Sequence, residues 1–273
     1  MLVLIGPPFS GSEDEYGRLA ELTGILPYEL KTKLRASAWG VVRALADAGQ
    51  AEARAGRIRA RGFRVAVVDP AVAADPSRMF VPLRGLELTE SALVLHLSER
   101  AMPIPYRAVL TLVRGEVQVG SRQRSSRASS SSTFRAVVPE ANVELAPAAQ
   151  LDGFAAADLH FATVLWSARI DARSFDFSIL GEHSGGAQDL DRLVDALAER
   201  IGFRVDRASR VSSVASFTGA TGPSRQTSPI PGMLPAGKKE VPERFDAYSR
   251  LIAEAERQAQ RHERQSTRPP PPG

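Results

Sequence analysis

Up to Val68 the apolar residues of this chain fall into short runs separated by helical stripes, whereas beyond Asp69-Pro70 one β-type run follows another. Alternation first and segregated strands afterwards call for an α+β protein built in two units. The first unit spans residues 1–70. Leu2-Val3-Leu4-Ile5 reads as a strand ended by Gly6-Pro7-Pro8, and Ser12-Glu13-Asp14-Glu15 forms a capping box that opens a helix through Tyr16, Leu19, Ala20 and Leu22. That helix stops near Gly24. A second starts at Pro27 with Leu26, Leu30 and Leu34 on one face. Trp39 to Leu45 is the next strand, Asp47 with Gln50 caps a third helix ending at Gly62, and Phe63 to Val68 is the last strand. The order is β-α-α-β-α-β, and its final β-α-β predicts a right-handed parallel crossover.

Residues 71–78 read as a linker. The second unit, 79–207, holds β-type runs at 79–83, 86–88, 93–97, 106–119, 134–138, 159–170 and 175–180. In the last of these Phe175, Phe177 and Ile179 alternate with Ser174, Asp176 and Ser178, the pattern of a half-buried strand. A helix with Leu190, Leu193, Val194, Leu197 and Ile201 in its stripe closes the unit at Gly202. About seven antiparallel strands and one helix predict a barrel with a helical plug, or a β-sandwich with an appended helix. The Ser, Thr, Gly and Pro of residues 208–241 predict a disordered linker. A helix follows at 242–265, with Phe245, Tyr248, Leu251, Ile252, Ala255 and Ala259 at helical spacing, and residues 266–273, with four closing prolines, are expected to be disordered.

Lys and Arg number 35 against 31 Asp and Glu, a net charge of +4. The excess is local. Arg122, Arg124, Arg127 and Arg135 face no acid between residues 121 and 135, whereas the stretch 136–208 is acidic. There is no cysteine, which excludes disulfides, thiolate metal sites and cysteine nucleophiles. No apolar run approaches the ~18 residues of a membrane span, and Met1 to Phe9 lacks the basic start of a secretory signal, so a cytoplasmic protein without membrane contact is expected.

Gly6-Pro7-Pro8-Phe9-Ser10-Gly11-Ser12 has the outline of a phosphate loop after a strand and before a helix. Its Lys position is Ser12, its Ser/Thr position is Glu13, and two prolines remove backbone donors. The helix cap accounts for the same residues. His96, His160, His183 and His262 show no metal-ligand spacing, and His183, between Glu182 and Ser184 in a glycine-rich loop, is the best placed for catalysis. Arg122, Arg124 and Arg127 in the Ser-rich run 120–133 could seek an anion or form a solvated excursion. Without interleaved aromatic residues they fall short of a nucleic-acid surface. The helix at 242–265 could dock on a partner or fold back on its own domain, with Phe245, Tyr248, Leu251 and Ile252 as its anchors in either case.

Two stretches resemble known folds. Leu22-Thr23-Gly24, Tyr28-Glu29-Leu30-Lys31 and the helix-to-strand stretch Ala51–Val68, with Arg61-Gly62-Phe63, make residues 1–70 resemble the C-terminal domain of the bacterial ribosomal stalk protein. Met102-Pro103-Ile104-Pro105-Tyr106-Arg107-Ala108-Val109 and the element order make residues 79–205 resemble a bacterial pleckstrin-homology-like domain. Both resemblances imply protein-binding platforms. Together with the missing catalytic and cofactor motifs they lead to a non-enzymatic interaction, scaffolding or regulatory protein with protein partners and no cofactor or metal. The alternatives are phosphate or nucleotide binding at Gly6–Ser12 and weak nucleic-acid association through the arginine run and tail.

Overall fold

The computed structural model describes residues 1–34, 38–98, 100–119, 152–202, 205–207 and 244–266. Strand β1 (Leu2–Gly6) is the centre of a three-stranded sheet, antiparallel to both β2 (Gly40–Ala44) and β3 (Arg64–Val68). The predicted parallel relation of β2 and β3 is present, but β1 lies between them. Helices α1 (Glu13–Thr23), α2 (Pro27–Lys33) and α3 (Ala48–Arg59) cover one face by packing on Val3, Ile5, Val42, Val65 and Val67. Local chemistry sets their ends: Ser12 and Asp47 accept the Glu15 and Gln50 amides, and Gly24 closes α1 in the left-handed region. Leu26, expected on the apolar stripe of α2, is instead its exposed N-cap, since the chain is still extended before Pro27.

A five-stranded sheet follows in the order β11-β8-β9-β10-β4, formed by β4 (Phe80–Leu83), β8 (Val109–Val119), β9 (Asp152–Phe161), β10 (Ser167–Asp171) and β11 (Val205–Arg207). Strands β5 (Gly85–Leu88), β6 (Ala92–His96) and β7 (Ala101–Pro105) form a separate antiparallel meander. The fold class is α+β, but the described strands close no barrel and are not all antiparallel. Edge strands β4 and β11 join in parallel to β10 and β8. Pro82 in β4 and Pro103 and Pro105 in β7 remove backbone donors from strands at sheet edges.

Three further boundaries differ from expectation. The run 159–170 is two strands, β9 and β10, paired antiparallel. Residues 106–108 form a 3₁₀ turn ahead of β8. Residues 175–180 are not a strand: the Ser174 and Phe175 amides donate to the Asp171 carbonyl, Asp176 caps the Ser178 amide, and 178–180 is a 3₁₀ turn. Phe175 and Phe177 are buried all the same, packed edge to face at 5.0 Å, so turn geometry generated the alternation. The run 134–138 lies outside the described residues.

One face of the five-stranded sheet packs on helix α4 (Ala187–Ile201) and the meander, through Leu112, Leu159, Phe161, Ile170, Leu190, Val194 and Leu86. The other face meets the last helix, α5 (Arg244–Ser266), whose opposite side packs on Leu2, Leu4, Val41, Ala66 and Val68 of the first sheet. Helix α5 is thus a layer between two sheets. That is why Leu2-Val3-Leu4-Ile5 carries no polar residue on either phase: both faces of β1 are covered. It also explains Ala247, Ala253, Ala255 and Ala259, whose small side chains let two backbones approach the helix. Among the described residues no helix is long and apolar enough to cross a membrane.

Candidate functional site

The groove around α5 concentrates the buried polar chemistry of the protein. On β9 and β10, Asp158 and His160 stand on one phase opposite Arg169 and Ser167, their cross-strand partners. Arg169 makes a bidentate pair with Asp158 at 2.7 and 2.9 Å and reaches Asp246 of α5 at 2.7 Å. Its guanidinium also lies 4.0 Å from the Phe80 ring centre and 5.4 Å from that of Phe245. Burial opposes the Arg169 charge, but Asp158 and Asp246 outweigh it and hold its pKa above the ordinary value.

Ser249 of α5 completes this island. Its hydroxyl donates to Asp158 Oδ2 at 2.7 Å, so its oxygen is left to accept from His160 Nε2 at 2.8 Å. Nδ1 of the neutral imidazole then accepts the Ser167 hydroxyl at 2.6 Å. Burial, reinforced by the positive charges of Arg257, Arg169 and Arg78, pushes the His160 pKa down to about 3. The residue types are those of a hydrolytic triad, but their order is not. Among the described residues no carboxylate orients the imidazole directly, and both hydroxyls are buried between the sheet and α5. The arrangement reads the position of one helical turn.

Farther along α5, Glu256 accepts two guanidinium bonds from Arg64, at 2.7 and 2.8 Å, and the Trp39 ring N–H at 3.0 Å. Arg64 Nε donates to Glu263 at 2.6 Å. Asp206 of β11 accepts from the Trp39 amide at 2.9 Å and from the Tyr248 hydroxyl at 2.7 Å. Burial and the Glu256 charge still push the Asp206 pKa up to about 6 against those two bonds. Glu254 pairs with Arg78 at 2.8 Å, and Arg250 donates to the Ala73 and Arg78 carbonyls. The acids of the helix meet arginines of the groove, Arg250 and Arg257 of the helix donate to groove carbonyls, and the groove acids Asp158 and Asp206 take helix hydroxyls.

The anchors expected on this helix, Phe245, Tyr248, Leu251 and Ile252, are all buried in the groove, so of its two readings the described structure shows docking on its own chain. Arg122, Arg124 and Arg127 lie outside the described residues. At the Gly6–Ser12 turn, Glu15 Oε2 accepts from the Ser10 amide (2.7 Å), the Gly11 amide (3.0 Å) and the Ser10 hydroxyl (2.6 Å). A carboxylate of the chain itself therefore occupies the donors a phosphate would use. His183 is exposed and donates to the Gly181 carbonyl, while Asp189 takes the Ser184 and Gly185 amides. No group of three or more potential metal ligands occurs among the described residues.

Asp158, Ser167, Arg169 and Ser249 are not singled out by the sequence, and His160 stands there only as one of four histidines without metal-ligand spacing. A signal was present: in the apolar stretch 155–161, Asp158 and His160 are polar on the same strand phase, an anomaly that points to polar company on a covered face. A cleft of about 420 Å³ remains between β3 and the last turns of α5, lined by Pro8, Phe63, Val65, Arg59, His262 and Ser266.

Gly6 is fitted to this groove. A Cβ there would lie 2.6 Å from the ring atoms of Trp39, whose N–H is held by Glu256. Gly6→Ala is expected to lower stability by about 1–3 kcal/mol, as overpacking of a filled core does. It should also shift the Trp39 fluorescence, and a urea midpoint equal to wild type would contradict the fit.

No family model matches this chain, and no curated protein or solved structure matches it either.

Proposed function

We propose that this chain is a non-enzymatic interaction or scaffolding protein of the cytoplasm, acting without a cofactor, whose working element is the groove that holds α5. The observation carrying this reading is the composition of the contact. A helix separated from β11 by residues 208–243 is recognised by side chains, through a pattern of acids and hydroxyls matched to Arg64, Arg78, Arg169, Asp158 and Asp206. Helix-in-groove binding of this kind is a common mode of protein recognition. The resident helix then acts as an internal ligand, and a protein partner gains access by competing with it.

The full-length chain and its Leu251→Asp/Ile252→Asp variant, used as paired baits, test this. Both changed residues are wholly buried in the groove, so the variant helix is expected to leave it. Partners retained by the variant and displaced by a peptide of residues 242–268 are the expected result. Identical partner sets for both baits, unaffected by the peptide, would remove the reading.

A further inference from the structure

The contact between α5 and the groove divides cleanly into two lists. Residues up to 207 supply an apolar bed (Leu2, Leu4, Val41, Val113), the guanidiniums of Arg64, Arg78 and Arg169, and the carboxylates of Asp158 and Asp206. Residues 244–266 supply Phe245, Leu251, Ile252, the hydroxyls of Tyr248 and Ser249, the carboxylates of Asp246, Glu254, Glu256 and Glu263, and the polar heads of Arg250, Arg257 and Gln258, which bond to groove backbone. The only covalent link between the lists is the chain 208–243, which, fully extended, spans at most about 130 Å. The helix itself is only about 35 Å long. No hydrogen bond or ion pair named in the groove depends on which copy of the chain provides the helix.

We propose that the groove accepts α5 from a second copy of this chain, so that the protein associates by exchanging its C-terminal helix. This inference rests on the interaction reading above and names its partner. Exchange of an identical element is a low-cost route to dimers because each contact formed in trans replaces one already made in cis. The matched charges favour this occupant over an arbitrary amphipathic helix. The island of Asp158, His160, Ser167 and Arg169 accepts one hydroxyl, at position 249, and one carboxylate, at position 246. Competition sets the concentration range: a tethered helix acts at an effective concentration on the order of millimolar, so the closed monomer dominates in dilute solution.

The test uses the full-length Leu251→Asp/Ile252→Asp variant, whose groove residues are unchanged, and a labelled synthetic peptide of residues 242–268. The peptide is expected to bind the variant saturably and to bind wild type roughly 100-fold more weakly, because wild type carries a tethered competitor. A peptide with Ser249→Asp, which sets a second carboxylate against Asp158, is expected to lose at least tenfold in affinity. Should the variant prove unfolded by near-UV circular dichroism, two differently tagged wild-type chains are refolded together at about millimolar concentration, and mixed dimers are counted by native mass spectrometry. Peptide binding or mixed dimers supports exchange. Absence of peptide binding to a folded variant, or absence of mixed dimers where that arm is used, overturns it. Such a failure leaves the interaction reading to the paired-bait experiment, whose partners need not be copies of this chain.

Discussion

Replacing Arg169 with Met is expected to destabilise the protein by about 3–5 kcal/mol, the largest loss of any single side chain in the groove. Met keeps most of the aliphatic length but removes the charge that neutralises Asp158, which is wholly buried, and takes from Asp246 of α5 its ion pair with Arg169. The remaining Asp158 partner is the Ser249 hydroxyl, one neutral bond for a buried carboxylate. The loss of two cation–π contacts, with Phe80 and Phe245, adds to the effect. A second substitution separates charge from packing. Arg169→Met/Asp158→Asn removes both charges while leaving an oxygen for Ser249, and is expected to be more stable than Arg169→Met alone. Urea midpoints of the two variants check this. A single variant within about 1 kcal/mol of wild type, or a double variant no better than the single, would show that the ion pair does not anchor the helix.

The contrast between what the sequence discloses and what it hides follows sequence distance. Ser12 and Asp47 cap helices a few residues away, and their helices begin where the caps predict. The tail helix shows itself by its own spacing of Phe245, Tyr248, Leu251 and Ile252. Its place between two sheets depends on pairs such as Ser249 with Asp158, 91 residues apart, and Trp39 with Glu256, 217 apart, which no local pattern reports. Two hints were nonetheless local. A strand without a polar phase, Leu2-Val3-Leu4-Ile5, needs cover on both faces, and a charged helix with alanines at 247, 253, 255 and 259 needs neighbours on more than one side. Phe175 and Phe177 show the opposite case. Period-two burial is a necessary mark of a strand but an insufficient one, because Asp171 and Asp176 organise turns that bury the same two rings. The barrel expectation failed for a related reason. Hydrophobic runs do not report whether an edge strand joins parallel or antiparallel, and β4 and β11 both join parallel.

Two buried groups beside successive residues of α5, His160 on β9 and Asp206 on β11, make stability respond to pH in opposite directions, and variants should separate them. His160 is neutral when folded, with its pKa pushed from 6.5 down to about 3, so the unfolded chain binds a proton across that window and the folded chain does not. Its contribution is complete above 6.5 and is lost as pH falls toward 3, by an amount on the order of 4–5 kcal/mol. Asp206 has its pKa raised from 3.8 to about 6, so its contribution is complete below 3.8 and is lost as pH rises through 6, by roughly 3 kcal/mol. Between pH 6 and 4 the two slopes oppose each other. Relative to wild type, His160→Gln is therefore expected to gain stability steadily as pH falls from 6.5 to 4, because the imidazole no longer draws protons to the unfolded chain. Asp206→Asn is expected to lose ground over the same range. It removes the one group of the pair that favours folding on acidification, while an amide oxygen still accepts from Trp39 or Tyr248. Unfolding free energies of the three proteins at half-unit pH steps decide the matter. Parallel curves would mean that neither group titrates differently in the folded chain, and that the groove holds α5 by shape and fixed charge alone.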